Sequence, residues 1–408
     1  MSKRAIELVN RTKNKIEQRK FVLKHRTAPG HFTKKATLNF KNTSQLILSL
    51  IKDTIKVELM NYFDQFEEKI ISPSKNAFNL AREKINYSAF KELFSESCDL
   101  AIEEDDKTKL YKGYRLFAND GTSFIVGPLE KLKEFFGEST TVAGKAICRI
   151  SGIVDVLNNV IIDAAVSPFS VGERALAIGQ IEKLAYITNA LYLYDRGYWS
   201  SELVACIIKN RQKFLMRLAS NTGKTIVRDE NGTPYPLRRC SFILPNGELE
   251  VLLTNIPADE MTDDELIRLY TKRWGIETKY LELKERLHLD VINSSSINII
   301  LQDIYSALYF SNLVAFICED ADDIISEKII GKNYKYDQKA NRANCIAILR
   351  KRFVRLFLLD DTERQKKEFQ HIVDEISRCK TYIGKSKPRP RVVSKSKKSR
   401  NSLRKPCL

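Results

Sequence analysis

Apolar positions recur at helical spacing in the first and last parts of the chain and alternate in the middle. Between residues 44 and 66, Leu46, Ile47, Leu50, Ile51, Ile55, Leu59 and Phe63 mark a helix. Ser72-Pro73-Ser74 is a helix-start signal, with serines placed as caps for a second helical segment. Near residue 110 the period changes. Residues 114–125 alternate as a strand in which Leu116, Ala118 and Asp120 share a face, with Asp120 at the strand end before Gly121. Residues 146–155 and 160–165 predict two more strands, joined through Leu157-Asn158-Asn159. A helix over 172–187, a buried strand over 190–195, a helix over 200–209 and a strand over 213–219 follow. The stretch 220–256 is polar and strand-like, with Asn231-Gly232 and Asn246-Gly247 as hairpin turns. Long helices are expected over 262–287, 297–320, 341–359 and 363–379. The order predicts an α/β layer fold, a mixed sheet with flanking helices and a β-rich insertion, preceded by a helical region.

The helix over 262–287 carries an unusual polar stripe. Thr262 and Glu265 have capping-box spacing, and Asp263 and Asp264 add negative charge at the positive end of the helix dipole. Leu269, Ile276, Leu283 and Leu287 form an apolar stripe. At about 100° per residue, Tyr270, Arg273, Glu277 and Lys284 form a second one beside it. A carboxylate flanked by two cations and a phenol points to a site.

Charge changes the picture for the two ends. Of the formal +17, residues 1–48 and residues 385–408 each carry +10, which leaves −3 for the body between them. Basic ends on a near-neutral body suit a polyanion such as nucleic acid. The last 24 residues are expected to be disordered. Two short helices with Lys75, Arg82 and Lys84 on the second fit either a helix-turn-helix-like DNA binder or an ordinary helical bundle. No run approaches the 18 or so consecutive apolar residues of a membrane span, and the first residues lack a secretory pattern. Eight cysteines without metal-like spacing predict reduced thiols, and hence a cytoplasmic setting.

Three acids then stand out: Asp120 and Asp195 at predicted strand ends, and Glu277 on the helix. Singly, each reads better as structural: an acid before glycine is a common turn residue, and Glu277 has Arg273 as an ion-pair partner within reach. Together, strand-end and helical carboxylates can converge, and hard oxygen donors of this kind suit Mg²⁺ or Mn²⁺. Two such ions activate a water or hydroxyl and stabilise the leaving oxygen of a phosphoryl transfer.

The residues resemble those of DDE transposases of the insertion sequence 4 family. The pattern Y-x2-R-x3-E-x6-K is matched by Tyr270, Arg273, Glu277 and Lys284. Asp120-Gly121-Thr122 and Asp195-Arg196-Gly197-Tyr198 are similar to the family's two aspartate contexts. The resemblance implies a ribonuclease H-like catalytic domain over 110–325 with its insertion at 220–256. Around it would lie a basic arm and helical DNA-binding domain over 1–105, a helical region over 326–383 and a basic tail over 384–408. It also implies that Asp120, Asp195 and Glu277 are catalytic and hold two Mg²⁺ ions, with Mn²⁺ able to substitute. Tyr270, Arg273, Lys284, Arg196, Lys75 and Arg82 would contact DNA. A homodimer would cut double-stranded DNA at inverted repeats and join it to target DNA, in a bacterial cytoplasm and with no membrane role. An inactive or domesticated DNA-binding relative and a non-transposing nuclease of the same fold are the rival readings. Trp274 is expected to pack.

Overall fold

The computed structural model describes residues 3–383 apart from 50–53, 67–69, 104–105, 140–141, 220–221, 224, 245–246, 293 and 360–361; the basic tail lies outside the described residues. The chain separates into two compact units, one made of Met1–Leu100 with Leu283–Leu408 and the other of Ala101–Glu282.

The first unit begins with helices α1 (Lys3–Glu17), α2 (Arg19–His25), α3 (Phe40–Leu48), α4 (Ile55–Phe63), α5 (Lys75–Glu83) and α6 (Ser88–Ile102). The basic stretch expected to be an arm is therefore folded. Ala5, Leu8, Val9 and Ile16 supply α1 with a buried stripe, while Arg11, Lys13 and Lys15 are half-buried at its flanks. The helix expected over 44–66 is two helices. At the end of α3, the Ser49 hydroxyl donates back to the Leu46 carbonyl, a bond that competes with helix continuation. Ser74 caps α5 as its position predicts, accepting from the Ala77 amide at 3.2 Å.

The second unit holds β1 (Arg115–Gly127), α7 (Glu130–Phe136), β2 (Ala146–Asp155), β3 (Val160–Pro168), α8 (Glu173–Lys183), β4 (Ala190–Tyr194), α9 (Ser201–Lys209), β5 (Lys213–Leu218), β6 (Arg238–Ile243), β7 (Leu249–Thr254), α10 (Asp263–Tyr270) and α11 (Trp274–Leu281). Its strands form one mixed sheet in the order β3-β2-β1-β4-β5-β7-β6. β1, β2 and β3 are antiparallel neighbours, whereas β4 runs parallel to both β1 and β5. This is the expected mixed sheet with flanking helices. The β-rich stretch after β5 extends that sheet: β7 pairs with β5, and β6 forms the edge beyond it. Burial on both faces makes β4 apolar throughout.

The first unit resumes with α12 (Ile297–Ile329), β8 (Asp337–Ala340), α13 (Arg342–Leu358), α14 (Thr362–Arg378) and β9 (Lys380–Ile383), the two strands pairing as a small antiparallel ribbon. α12 is its core, packing against α1, α3, α13 and α14. By length and composition α12 could cross a membrane, but 89% of its most apolar window is buried inside the protein.

Candidate active site

The site is assembled at the end of β4. Parallel pairing of β1 with β4 stops at Ala118 and Leu193, two residues short of both aspartates. Side chains two apart on a strand share a face, so this register brings Asp120 and Asp195 out abreast on the same side. Asp195 keeps extended backbone and caps the short 3-10 turn Arg196–Tyr198, its Oδ1 accepting from the Arg196 amide at 2.7 Å. Asp120 departs from the expectation of a strand end. β1 runs on to Gly127, paired with β2 alone, because β1 is much longer than its parallel neighbour. What ends two residues before Asp120 is β4's cover.

The third acid arrives on a helix that is less regular than its sequence suggests. The Thr262–Glu265 capping box forms as predicted. No continuous helix follows. α10 gives way to a 3-10 turn over Thr271–Arg273, then to α11, then to a π-helical segment over Glu282–Arg286. The Thr271 hydroxyl donates to the Arg268 carbonyl at 2.7 Å, which helps to tighten the chain there. His288 then ends the run in the left-handed region at φ 57°. The regular wheel therefore does not survive, but the local spacing of Arg273 and Glu277 does.

Arg273 is the hub. It is buried, donates to Glu277 Oε1 at 2.7 Å and lies 3.8 Å from Asp120 Oδ2, and Asp195 acts on its charge as well. Its guanidinium also sits 5.9 Å from the Tyr270 ring centroid and 5.7 Å from that of Trp274. Its Nε and Nη1 form no hydrogen bond. The arginine expected to clamp DNA is thus also the counter-ion of the acids. Tyr270, expected at DNA, is buried and donates to the Tyr194 carbonyl at 3.3 Å, which ties α10 to the residue before Asp195. Trp274, expected to pack, is 57% exposed.

A fourth carboxylate, which the sequence reading missed, stands beside Asp120. Glu173 opens α8, and its Oε1 would lie 2.4 Å from a Cβ added to Gly121. Gly121 is therefore needed for this close approach. Nothing in the local sequence around Glu173 signals its role, because the proximity arises from the packing of α8 on β1. Burial pushes the Asp120 carboxyl up to about 6; the Gly121 amide and Arg273 oppose the rise, and Glu173 and Glu277 add to it.

Arg196 is exposed beside Asp195. Lys284 belongs to the first unit, in the π-helical segment, and Lys75 is exposed at the start of α5. Arg82 corrects its expectation. It is buried, donating to Gln302 Oε1 at 2.8 Å and pairing with Asp303 of α12. An arginine enclosed in this way is spent on holding its own unit together.

Residues 111–313 match the family described as the transposase DDE domain. The matched stretch supports a DDE transposase. It takes in Asp120, Asp195, Glu277 and the helix joining Arg273 to them. Among solved structures, a piggyBac transposase synaptic complex with hairpin DNA, determined by cryo-electron microscopy, is similar at 12% identity and a TM-score of 0.46, over 90% of this chain and 82% of that one. No curated protein matches the chain.

DDE transposase domains generally use divalent metal ions, and the donor chemistry of this site fits one. Asp120, Asp195 and Glu277 offer hard oxygens, and the raised Asp120 carboxyl would be relieved by a cation. Among the described residues, no three acidic, histidine or cysteine side chains already form a metal cage. A single cationic side chain serves all three acids instead.

The Asp120 carboxyl carries a pH prediction. Its folded value is raised from 3.8 to about 6, so between those values the folded protein holds a proton that the unfolded chain has lost. Without divalent cations, this group makes the fold more stable as pH falls through about 6 and less stable as pH rises. Urea unfolding of wild type and Asp120→Asn at about pH 5 and about pH 7 should show the gap between the two proteins moving in favour of wild type at the lower pH. A gap independent of pH would remove this titration from Asp120.

Proposed function

We propose that the protein is a cut-and-paste transposase of the insertion sequence 4 family, cleaving DNA at the terminal inverted repeats of its element and joining the ends to target DNA. The carrying observation is that Arg273 serves Asp120, Glu277 and Asp195 together within the stretch matching the transposase DDE domain. Asp120, Asp195 and Glu277 would hold Mg²⁺, with two ions and Mn²⁺ as a substitute. When bound, the metal supplies an activated attacking oxygen and stabilisation of the leaving oxygen.

The chain's own groups do the rest. Arg273 keeps the acids together against their mutual repulsion and lies ready to offset phosphate charge at the same place. Arg196, Lys284 and Lys75 would meet DNA phosphates, and each should contribute to the salt dependence of end binding. Exposed Trp274 offers a face on which a base could stack. The reading includes a homodimer in the DNA complex, working in the cytoplasm of a bacterium.

Two measurements test it together. The DNA flanking the gene should carry short inverted repeats with a small direct duplication outside them. A duplex ending in that repeat should be cut with Mg²⁺ and left intact with a chelator. Cutting of unrelated duplexes at the same rate would instead favour a non-transposing nuclease. In the same assay Arg196→Ala and Lys284→Ala should weaken end binding and flatten its salt dependence by about one ion each.

A further inference from the structure

Three residues beyond Glu277, on α11, the buried Tyr280 does two things with one hydroxyl. It donates to the Asp120 carbonyl at 2.5 Å and accepts from the Gly152 amide at 2.9 Å. Asp120 and Gly152 face one another in the β1–β2 register. A single phenol oxygen therefore bridges the strands at the very residue that carries the first carboxylate. Gly152 makes room for it, since a Cβ there would lie 2.9 Å from the Tyr280 oxygen. Gly275, five residues before Tyr280, likewise lets α11 approach the end of β2, with a Cβ meeting Val156, the residue just after that strand, at 3.0 Å.

The place is one where a restraint is needed. Beyond Ala118, β1 has lost β4 and is paired on one side only. Arg273, in the turn before α11, reaches only the Asp120 side chain, whereas among the described hydrogen bonds that of Tyr280 ties α11 to the Asp120 backbone. We propose that Tyr280 is a positioning residue, its hydroxyl bridging Gly152 and Asp120 so that the Glu277 helix is held at a fixed distance from the Asp120 strand. The role rests on the transposase reading above. Tyr280 acts through Asp120 and Glu277.

The test compares Tyr280→Phe with wild type, well below both melting midpoints. Mn²⁺ half-saturation of the protein alone is read by electron paramagnetic resonance, and single-turnover cleavage is read on the repeat-end duplex. Tyr280→Phe should raise the Mn²⁺ half-saturation about five-fold or more and slow cleavage about ten- to a hundred-fold, the range expected when reacting groups are displaced by a fraction of an ångström to an ångström. Gly152→Ala, which crowds the same hydroxyl from the opposite strand, should do likewise. Thr254→Val is the control for mere structural loss. It removes a buried hydrogen bond to the Phe214 carbonyl in the same sheet and should lower the melting midpoint while leaving Mn²⁺ binding and cleavage alone. Wild-type Mn²⁺ binding and cleavage in Tyr280→Phe, or equal losses in Thr254→Val, would overturn the proposal. Failure of the wild-type protein to cut the repeat-end duplex with Mg²⁺ would instead sink the transposase reading, and the Mn²⁺ measurement would still judge Tyr280.

Discussion

Glu277→Gln should abolish end cleavage, by about a thousand-fold or more, while leaving the protein folded and bound to its DNA. The size follows from the cooperative character of such sites, where losing one member of a catalytic set costs nearly as much as losing several. The substitution is informative because it separates charge from packing. Glutamine keeps the length of the side chain and an oxygen able to accept from Arg273 Nη2, the contact that Glu277 makes at 2.7 Å. The glutamate side chain is 39% exposed, so little burial is at stake. What disappears is one negative charge next to Asp120, where it helps to raise the carboxyl, and beside Arg273, whose charge it offsets. Single-turnover cleavage with Mg²⁺, run beside a binding assay on the same duplex, gives the answer. Undiminished cutting would take Glu277 out of the catalytic set.

The largest loss of stability should come from Asp155→Asn, at about 3–5 kcal/mol, the cost of leaving one partner of a buried pair without its counter-charge. Arg115 and Asp155 have side chains 1% and 0% exposed. Asp155 Oδ2 accepts from Arg115 Nε and Nη2 at 3.0 and 2.9 Å and from Asn158 Nδ2, while Oδ1 accepts from the Leu157 and Asn158 amides. Both oxygens are thus surrounded by donors. An amide nitrogen at either position would face hydrogens, and the guanidinium would keep its burial without its charge partner. The pair also has a location that matters. Arg115 opens β1 five residues before Asp120, and Asp155 closes β2 at the turn into β3. Denaturant unfolding of wild type and Asp155→Asn measures the difference; a loss below about 1 kcal/mol would place this pair among the weak ones.

What could be read without a structure was what the chain encodes within a turn or two. The Thr262–Glu265 capping box, the Ser74 cap and the apolar run of β4 each depend on neighbours a few residues away, and each is present. The convergence of Asp120 with Asp195 depends on a register between strands 75 residues apart, which motif resemblance could suggest and pattern alone could not. Residues whose partners are distant were the ones misread. Arg82 looks exposed on its own helix and is enclosed only because α12 supplies Gln302 and Asp303. Trp274 looks like core and lies open because the 3-10 turn before it rotates α11 away from a regular wheel. Tyr280 had a usable signal, standing one turn from Glu277. Its partner, Gly152, lies 128 residues earlier and announces nothing.

The division of the chain has a consequence for the order of synthesis. Helices α1 and α3 need α12 as their packing surface: Thr12 of α1 shares a hydrogen bond with Tyr309, and Arg4 pairs with Glu319. On a ribosome, α1 leaves the tunnel long before α12, a wait of roughly 15–60 s at ordinary elongation rates. The sheet unit, continuous from Ala101 to Glu282, is complete before that wait ends. Each new molecule therefore passes through an interval in which its carboxylate-bearing sheet is fully made and its helical unit still lacks its central helix.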